Sequence, residues 1–169
     1  KSNINEKKDK LNTIFSVQNK KTKDILMQMP DIYFQKTSLQ SLEKHFHLLK
    51  TLNASGVSIL VEKNKDYLKL NLISKNMSGL FLRICNILNI LLLEVVDANI
   101  NTSKDGKIAI NTFLIKHRKL GNKLNNDDLK KITNRIKKAF NEEKLDILKT
   151  GKVSNPFSFK THVEIHNDL

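Results

Sequence analysis

One dipeptide, Asp105-Gly106, restricts the fold of this chain more than any other signal, because it stands between two runs of alternating side chains. Glu94 to Thr102 precedes it and Lys107 to Ile115 follows it. Alternation puts every second side chain on one face of a strand, and Asp-Gly tolerates the positive φ of tight turns, so the stretch is predicted to be a β-hairpin. Upstream, Leu68, Leu70 and Leu72 alternate with Lys69, Asn71 and Ile73. A polar loop, Lys75 to Ser78, then reaches Gly79, after which Leu80, Ile84, Ile87, Leu88 and Leu91 recur at the spacing of one helix face. The order is strand, helix, hairpin.

The flanks extend this unit. Residues 1 to 8 are polar and read as frayed. From Asp9 to Met29, Leu11, Ile14, Phe15, Ile25, Leu26 and Met29 follow mostly helical spacing, and Pro30 ends the pattern, so one long or broken helix is expected. Asp31 to Lys36 is a connection. Thr37-x-x-Gln40 is a capping-box signature, and Leu39, Leu42, Phe46 and Leu49 mark one face of a helix to about Leu52. Asn53 to Gly56 reads as a turn and a domain boundary, separating a helical linker or domain end (residues 1–55) from a second domain (residues 56–169). Val57, Ile59 and Val61 alternate with Ser58, Leu60 and Glu62, adding a leading hairpin strand closed by a turn at Asn64 to Asp66.

Past the Asp-Gly hairpin, His117 to Leu124 is a polar loop. Asn126, Asp127 or Asp128 caps a helix whose Leu129, Ile132, Ile136 and Phe140 share a face, with its last turns near Ile147. Phe157, Phe159, Val163 and Ile165 alternate with polar residues and read as a final strand. Tyr67 to His166 is therefore βαββαβ, which right-handed crossovers fold into a ferredoxin-like α+β domain: a four-stranded antiparallel sheet with both helices on one face. The strand from Lys107 to Ile115 is apolar on both sides, with Ile108, Ile110 and Leu114 against Ala109, Phe113 and Ile115. Something must cover the open face of such a sheet, either a second copy of the domain or the preceding helices.

Composition narrows the partners. No run reaches the roughly 20 apolar residues of a membrane span, so no membrane partner is expected. Lys1 opens a charged, apolar-poor segment, so no signal peptide is expected and the chain reads as cut from something longer. Cys85 is the single cysteine, which excludes an internal disulfide and suits the cytoplasm. The net charge of +13 raises the question of nucleic acid. Only Arg83, Arg118 and Arg135 of the 30 basic residues are arginine, however, and lysine, asparagine and isoleucine abound throughout. That is the mark of an A/T-rich coding bias rather than of a basic stripe with stacking aromatics, so nucleic acid is not the expected partner. An RNA-binding sheet is one alternative, and it would need Tyr67 and Phe113 exposed; a purely structural interaction fragment is the other.

No catalytic constellation is present in the sequence. His162, Glu164 and His166 share a strand face, which fits a solvated surface better than a metal site. His45 lies beside an apolar stripe and reads as a packing residue, and Cys85 reads as a small core hydrophobe. The loop before Gly79 differs, because it ends a strand and begins a helix. Its amides lie at the positive end of the helix dipole and Gly79 lets a ligand approach the main chain, an arrangement suited to the carboxylate of a small metabolite.

The pattern Asn76-Met77-Ser78-Gly79-Leu80-Phe81-x-Arg83-Ile84, then Val95-Val96-Asp97-Ala98-x-Ile100-x-Thr102-x-x-Asp105-Gly106 and Asn111-Thr112-Phe113, resembles the first ACT domain of the bacterial bifunctional protein-PII uridylyltransferase/uridylyl-removing enzymes. Met29-Pro30-x-x-Tyr33 with Ser38 and His45 resembles the segment between that family's HD hydrolase domain and its ACT pair, and Phe159-Lys160-x-x-Val163 with Asn167 resembles the stretch between the two ACT domains. The resemblance implies a glutamine-sensing regulatory fragment acting in nitrogen metabolism. Asn76, Met77, Ser78, Gly79 and Leu80 would hold glutamine or a related amino acid, and Asp97 or Asn99 would lie on a strand edge that a paired ACT domain meets. It implies as partners the second ACT domain and the catalytic domains of the same chain, and the PII signal protein through the parent enzyme. No cofactor is implied for this fragment; magnesium belongs to the absent nucleotidyltransferase domain. The departures are Asn76-Met77-Ser78 where the family usually has Asp-Arg-Pro, Leu92 where it has glycine, and Asn111 where it has aspartate.

Overall fold

The computed structural model describes residues 2–15, 20–52, 56–121 and 123–141 of the chain. Its elements are α1 (Ser2–Ile14), α2 (Lys20–Met27), α3 (Asp31–Lys36), α4 (Leu39–Lys50), β1 (Val57–Asn64), β2 (Tyr67–Lys75), α5 (Leu80–Ile90), β3 (Leu93–Thr102), β4 (Ile108–His117) and α6 (Asn126–Asn141). The strands form one antiparallel sheet in the order β1-β2-β4-β3. Since β2 and β3 both run against β4, they are parallel to each other and α5 is the crossover between them. The chain is thus α+β, with helices packed on a four-stranded antiparallel sheet. The leading strand β1 lies beside β2 along its whole length, from Val57 opposite Ser74 to Asn64 opposite Tyr67. The final strand expected at Phe157 to Ile165, the helical turns near Ile147 and the turn residues 53–55 lie outside the described residues.

Two apolar cores sit on the two faces of this sheet. On one, Leu68, Leu70 and Leu72 of β2 and Ala109, Phe113 and Ile115 of β4 pack with Leu80, Ile84, Ile87 and Leu88 of α5 and Ile132, Ile136 and Phe140 of α6. Arg83 ties the two helices together by donating from Nη2 to the Phe140 carbonyl at 2.7 Å, a cation at a helix C-terminus where the dipole favours it. On the other face Ile73 and Ile110, cross-strand neighbours, are buried under Leu11, Leu26, Met29, Tyr33, Phe34, Leu42 and Phe46. The preceding helices therefore cover the face that the doubly apolar β4 required to be covered. Each such side chain contributes roughly 1.5–3 kcal/mol of burial before entropy is subtracted.

The helical layer is more structured than periodicity suggests. Helix α1 begins at Ser2 instead of fraying, because Ile4 is buried and Lys7 reaches across to donate to the carbonyls of Phe34 (2.9 Å) and Thr37 (3.0 Å). Asp31 to Lys36, expected as a connection, is the helix α3: Asp31 occupies its first turn, in an ion pair with Lys8 at 2.8 Å, and Tyr33 and Phe34 are fully buried. The cap of α4 is Ser38, whose Oγ accepts from the Ser41 amide at 3.2 Å, and not Thr37 one residue earlier. Likewise the α6 cap is Asn125, whose Oδ1 accepts from the amides of Asp127 and Asp128 while Asp128 accepts the Asn125 amide, a reciprocal box one residue before the expected start. In the β3–β4 turn only Gly106 has a positive φ, 72°; the Gly106 amide bonds Ser103 O, and the Asp105 carboxylate accepts from Ser103 Oγ at 2.6 Å. The Asp-Gly hairpin therefore forms through a longer turn than two positive-φ residues would give. Lys104 N donates to Gln28 O at 2.8 Å, joining this turn to the end of α2.

A buried polar cluster fixes the helical layer to the sheet. His45 is 1% exposed; its Nδ1 lies 2.8 Å from Tyr33 Oη and its Nε2 3.0 Å from Asn71 Oδ1. Thr112 donates to the same Asn71 oxygen at 3.2 Å. Asn71 Oδ1 can only accept, so the network assigns the proton of neutral His45 to Nε2 and leaves Nδ1 to accept from Tyr33. Burial pulls the His45 pKa from 6.5 down to about 4, against the opposing pull of the Asn71 hydrogen bond. Below pH 6.5 the unfolded chain takes up a proton that the folded chain refuses until about pH 4. Urea unfolding should therefore lose stability as pH falls through that window, by up to about 3 kcal/mol, and the His45→Gln variant should lack this part of the slope. Equal slopes in the two proteins would refute the assignment.

Leu92 closes α5 with φ of 57°, in the left-handed region that costs a non-glycine residue ~1–2 kcal/mol, and its amide bonds Asn89 O at 3.0 Å. This is the position where the family resembled above has glycine. The urea midpoint should rank Leu92→Gly at or above wild type and Leu92→Val below it by ~1 kcal/mol or more, since a β-branched residue is least tolerated there. A lowered midpoint for the glycine variant would contradict this reading.

Candidate functional site

The loop between β2 and α5 is built by its two ends. Asn76 leaves β2 with its amide on Lys107 O at 2.8 Å and its Nδ2 on Gly106 O at 2.9 Å, so the loop is clamped to the β3–β4 turn. An aspartate at this position would lack the second donor, and asparagine here does structural work. Gly79 then caps α5 in the left-handed conformation, φ 73° and ψ 7°, and a Cβ built on it would meet nothing within 4 Å. The bare main chain at the start of an 11-residue helix thus faces open space.

That space is a cavity of about 250 Å³, lined by Asn76, Met77, Gly79, Leu80 and Phe81 from the loop and helix and by Ile100, Thr102, Ala109 and Asn111 from β3 and β4. Asn111 is 2% exposed and its Oδ1 has no hydrogen-bond partner. Ser74, opposite Ala109 on the same face, is fully buried with an unpartnered Oγ. Such groups cost ~1–3 kcal/mol each when left unpaired. The rim is apolar, with Met77, Phe81 and Ile100 each 40–46% exposed. No ionisable side chain lines the cavity, so its electrostatics are those of neutral amides and of the helix dipole. It can bind a small molecule with a carboxylate at the helix start and an apolar or amide portion against the rim. Cys85 is buried, and burial pushes its thiol up to about 11, leaving it protonated.

The structure divides the residues singled out from the sequence. Asn76, Met77, Gly79 and Leu80 line this cavity, and Ser78 is exposed within the same loop. Asp97 and Asn99 do not join them; they line a separate cavity on the opposite face of the sheet, beside α4. The cause is a β-bulge between Val95 and Asp97. Val95 pairs with Ile115, but Asp97 pairs with Leu114, so the bulge turns Ala98, Ile100 and Thr102 towards the loop and Asp97 and Asn99 away from it. Ile100 and Thr102, not singled out as site residues from the sequence, face the loop, while Asp97 and Asn99 lie on the edge strand β3 and face α4. A cleft of about 1000 Å³ lies between α2 and the β3–β4 turn, carries lysines and aspartates together, and shares only Asn76 with the loop cavity.

Among the described residues of the sheet, Phe113 is fully buried and Tyr67 half-buried, and helices pack on both faces. No described helix is long and apolar enough to cross a membrane. The chain matches no protein family model, no curated protein and no solved structure.

Proposed function

We propose that this chain is an amino-acid-sensing regulatory module of the ACT type, a ferredoxin-like domain carried on a helical linker, and that its ligand is glutamine or a related amino acid held at the loop Asn76 to Leu80. The observation that carries the reading is the cavity itself, about 250 Å³, with a glycine-capped helix start on one wall and the unpartnered Asn111 Oδ1 on the other. A ligand carboxylate meets the helix start, and its ammonium or side-chain amide donates to Asn111 Oδ1, an acceptor that now lacks a donor. Two further features support the relation to the uridylyltransferase/uridylyl-removing enzymes. The left-handed Leu92 stands where that family has glycine, and Met29, Tyr33 and His45 of the resembling linker segment are all packed into the layer covering the sheet. In this reading the module works in the cytoplasm, beside a second ACT domain and the catalytic domains of its own chain. It governs there the modification of PII signal protein, and the magnesium belongs to those catalytic domains.

Calorimetric titration of glutamine into a chain carrying both ACT domains should give a saturable heat. Gly79→Val should abolish it, because the side chain would enter the open space at the helix start and strain a left-handed residue. Absence of heat, or a Gly79→Val protein that binds like wild type, would sink the proposal. Circular dichroism of the variant separates lost binding from lost folding.

A further inference from the structure

The cavity that receives Asp97 and Asn99 has a chemistry of its own. It measures about 360 Å³ and lies on the helix-covered face of the sheet, where α4 begins. Lys69 and Thr112 form its floor, and Thr37, Ser38 and Ser41 form its wall.

Lys69 is a lysine between Leu68 and Leu70 on an inner strand, where an apolar side chain would pack at less cost. It is half-buried and donates to Ser41 Oγ at 2.7 Å, which occupies one of its three N–H groups. Glu62, its cross-strand neighbour, is taken by Lys44 at 2.6 Å. Burial, and then the Lys44 ammonium, hold the Lys69 pKa below the usual lysine range, against the opposing pull of the Glu62 carboxylate. Thr37 is 5% exposed, it lines the cavity, and its Oγ1 has no partner. The residue expected to cap α4 is displaced from that role by Ser38 and holds an unused hydroxyl at the positive end of a 12-residue helix. Lys36 adds a second ammonium, and Asp97 is the single carboxylate in the lining, its Oδ1 already accepting the Ala98 amide at 2.8 Å.

We propose that this cavity binds a small molecule through an oxyanion, a phosphate or a carboxylate group, held by Lys69, Ser41, Thr37 and Lys36 at the start of α4. The site stands on other residues and another face than the Asn76 to Leu80 loop, so either can exist without the other. A hydroxyl or amine further along the ligand would meet Asp97 and Asn99 towards the β3 edge. Thr112 belongs both to this floor and to the His45–Asn71 cluster, so occupation is felt at the contact between helices and sheet.

The test is titration of the 169-residue chain with inorganic phosphate and, separately, with acetate, at an ionic strength held constant with chloride and followed by backbone amide shifts. Saturable shifts confined to residues around Ser38, Ser41, Lys69 and Thr112 are expected for at least one anion. The tighter of the two assigns the group as phosphate or carboxylate. Lys69→Gln should weaken the response roughly tenfold or more, while Lys131→Gln, an exposed site on α6, should leave it unchanged. Thr37→Val, close to isosteric, preserves packing and should also weaken it, which keeps the test decisive if Lys69→Gln does not fold. Shifts linear in concentration, equal losses in the two lysine variants, or an unaltered response in Thr37→Val would overturn the site and reduce it to diffuse attraction by the net charge of +13.

Discussion

Two inner strands, β2 and β4, carry apolar side chains on both faces, and the rest of the molecule is arranged to keep both faces dry. Leu70 and Phe113 are cross-strand neighbours under α5 and α6, while Ile73 and Ile110 are cross-strand neighbours under the amino-terminal helices. A sheet with one wet face alternates apolar and polar residues throughout, and Ile73 in β2 and Ile108 and Ile110 in β4 break that alternation. Neither helical layer is dispensable on this account. Removing α1 to α4 would bare Ile73, Ile110 and the half-buried Ile108, and would leave Asn71 and Thr112 facing water without His45.

Polar groups set the position of the second layer where apolar burial alone would leave it free to slide. Hydrophobic contact is indifferent to small displacements, but Tyr33, His45, Asn71 and Thr112 must keep their hydrogen-bond distances or pay the desolvation of buried partners. At the rim of the same interface Lys44 bonds Glu62 at 2.6 Å and Lys69 bonds Ser41 at 2.7 Å, so α4 is pinned to β1 and β2 along its length. The result is a seating with one register.

Strands and the crossover helix were legible in the sequence because their burial has a short period. Val57 to Val61, Leu68 to Leu72 and the Asp105-Gly106 hairpin are found where alternation placed them, and α5 begins after Gly79. What local pattern does not carry was missed. Six residues from Asp31 to Lys36 hold too little periodicity to declare a helix, and only the packing of Tyr33 and Phe34 makes one. Thr37 and Ser38 suit a cap equally by composition, and the backbone decides between them. For the site, Gly79 and the loop were readable from residue chemistry, but the facing wall was not. A bulge of one residue at Val95 to Asp97 has no signature in side-chain type, yet it exchanges the two faces of the strand beyond it, so Asp97 and Asn99 lie on the edge strand β3 but face α4 and not the loop. Lys69 lies on the β2 face that also carries Asn71 and Ile73, the face that had to be covered.

The turn between β3 and β4 holds two unrelated parts of the molecule at once. Lys104 takes the last carbonyl-bearing turn of α2 through Gln28, and two residues on, Gly106 and Lys107 take the side chain and main chain of Asn76. Helix, turn and loop are thereby coupled in series through hydrogen bonds of 2.8–2.9 Å. A pull on α2 and a pull on Asn76 strain the same few peptide units, which makes the hairpin tip a joint where loads on the helical layer and on the loop are summed.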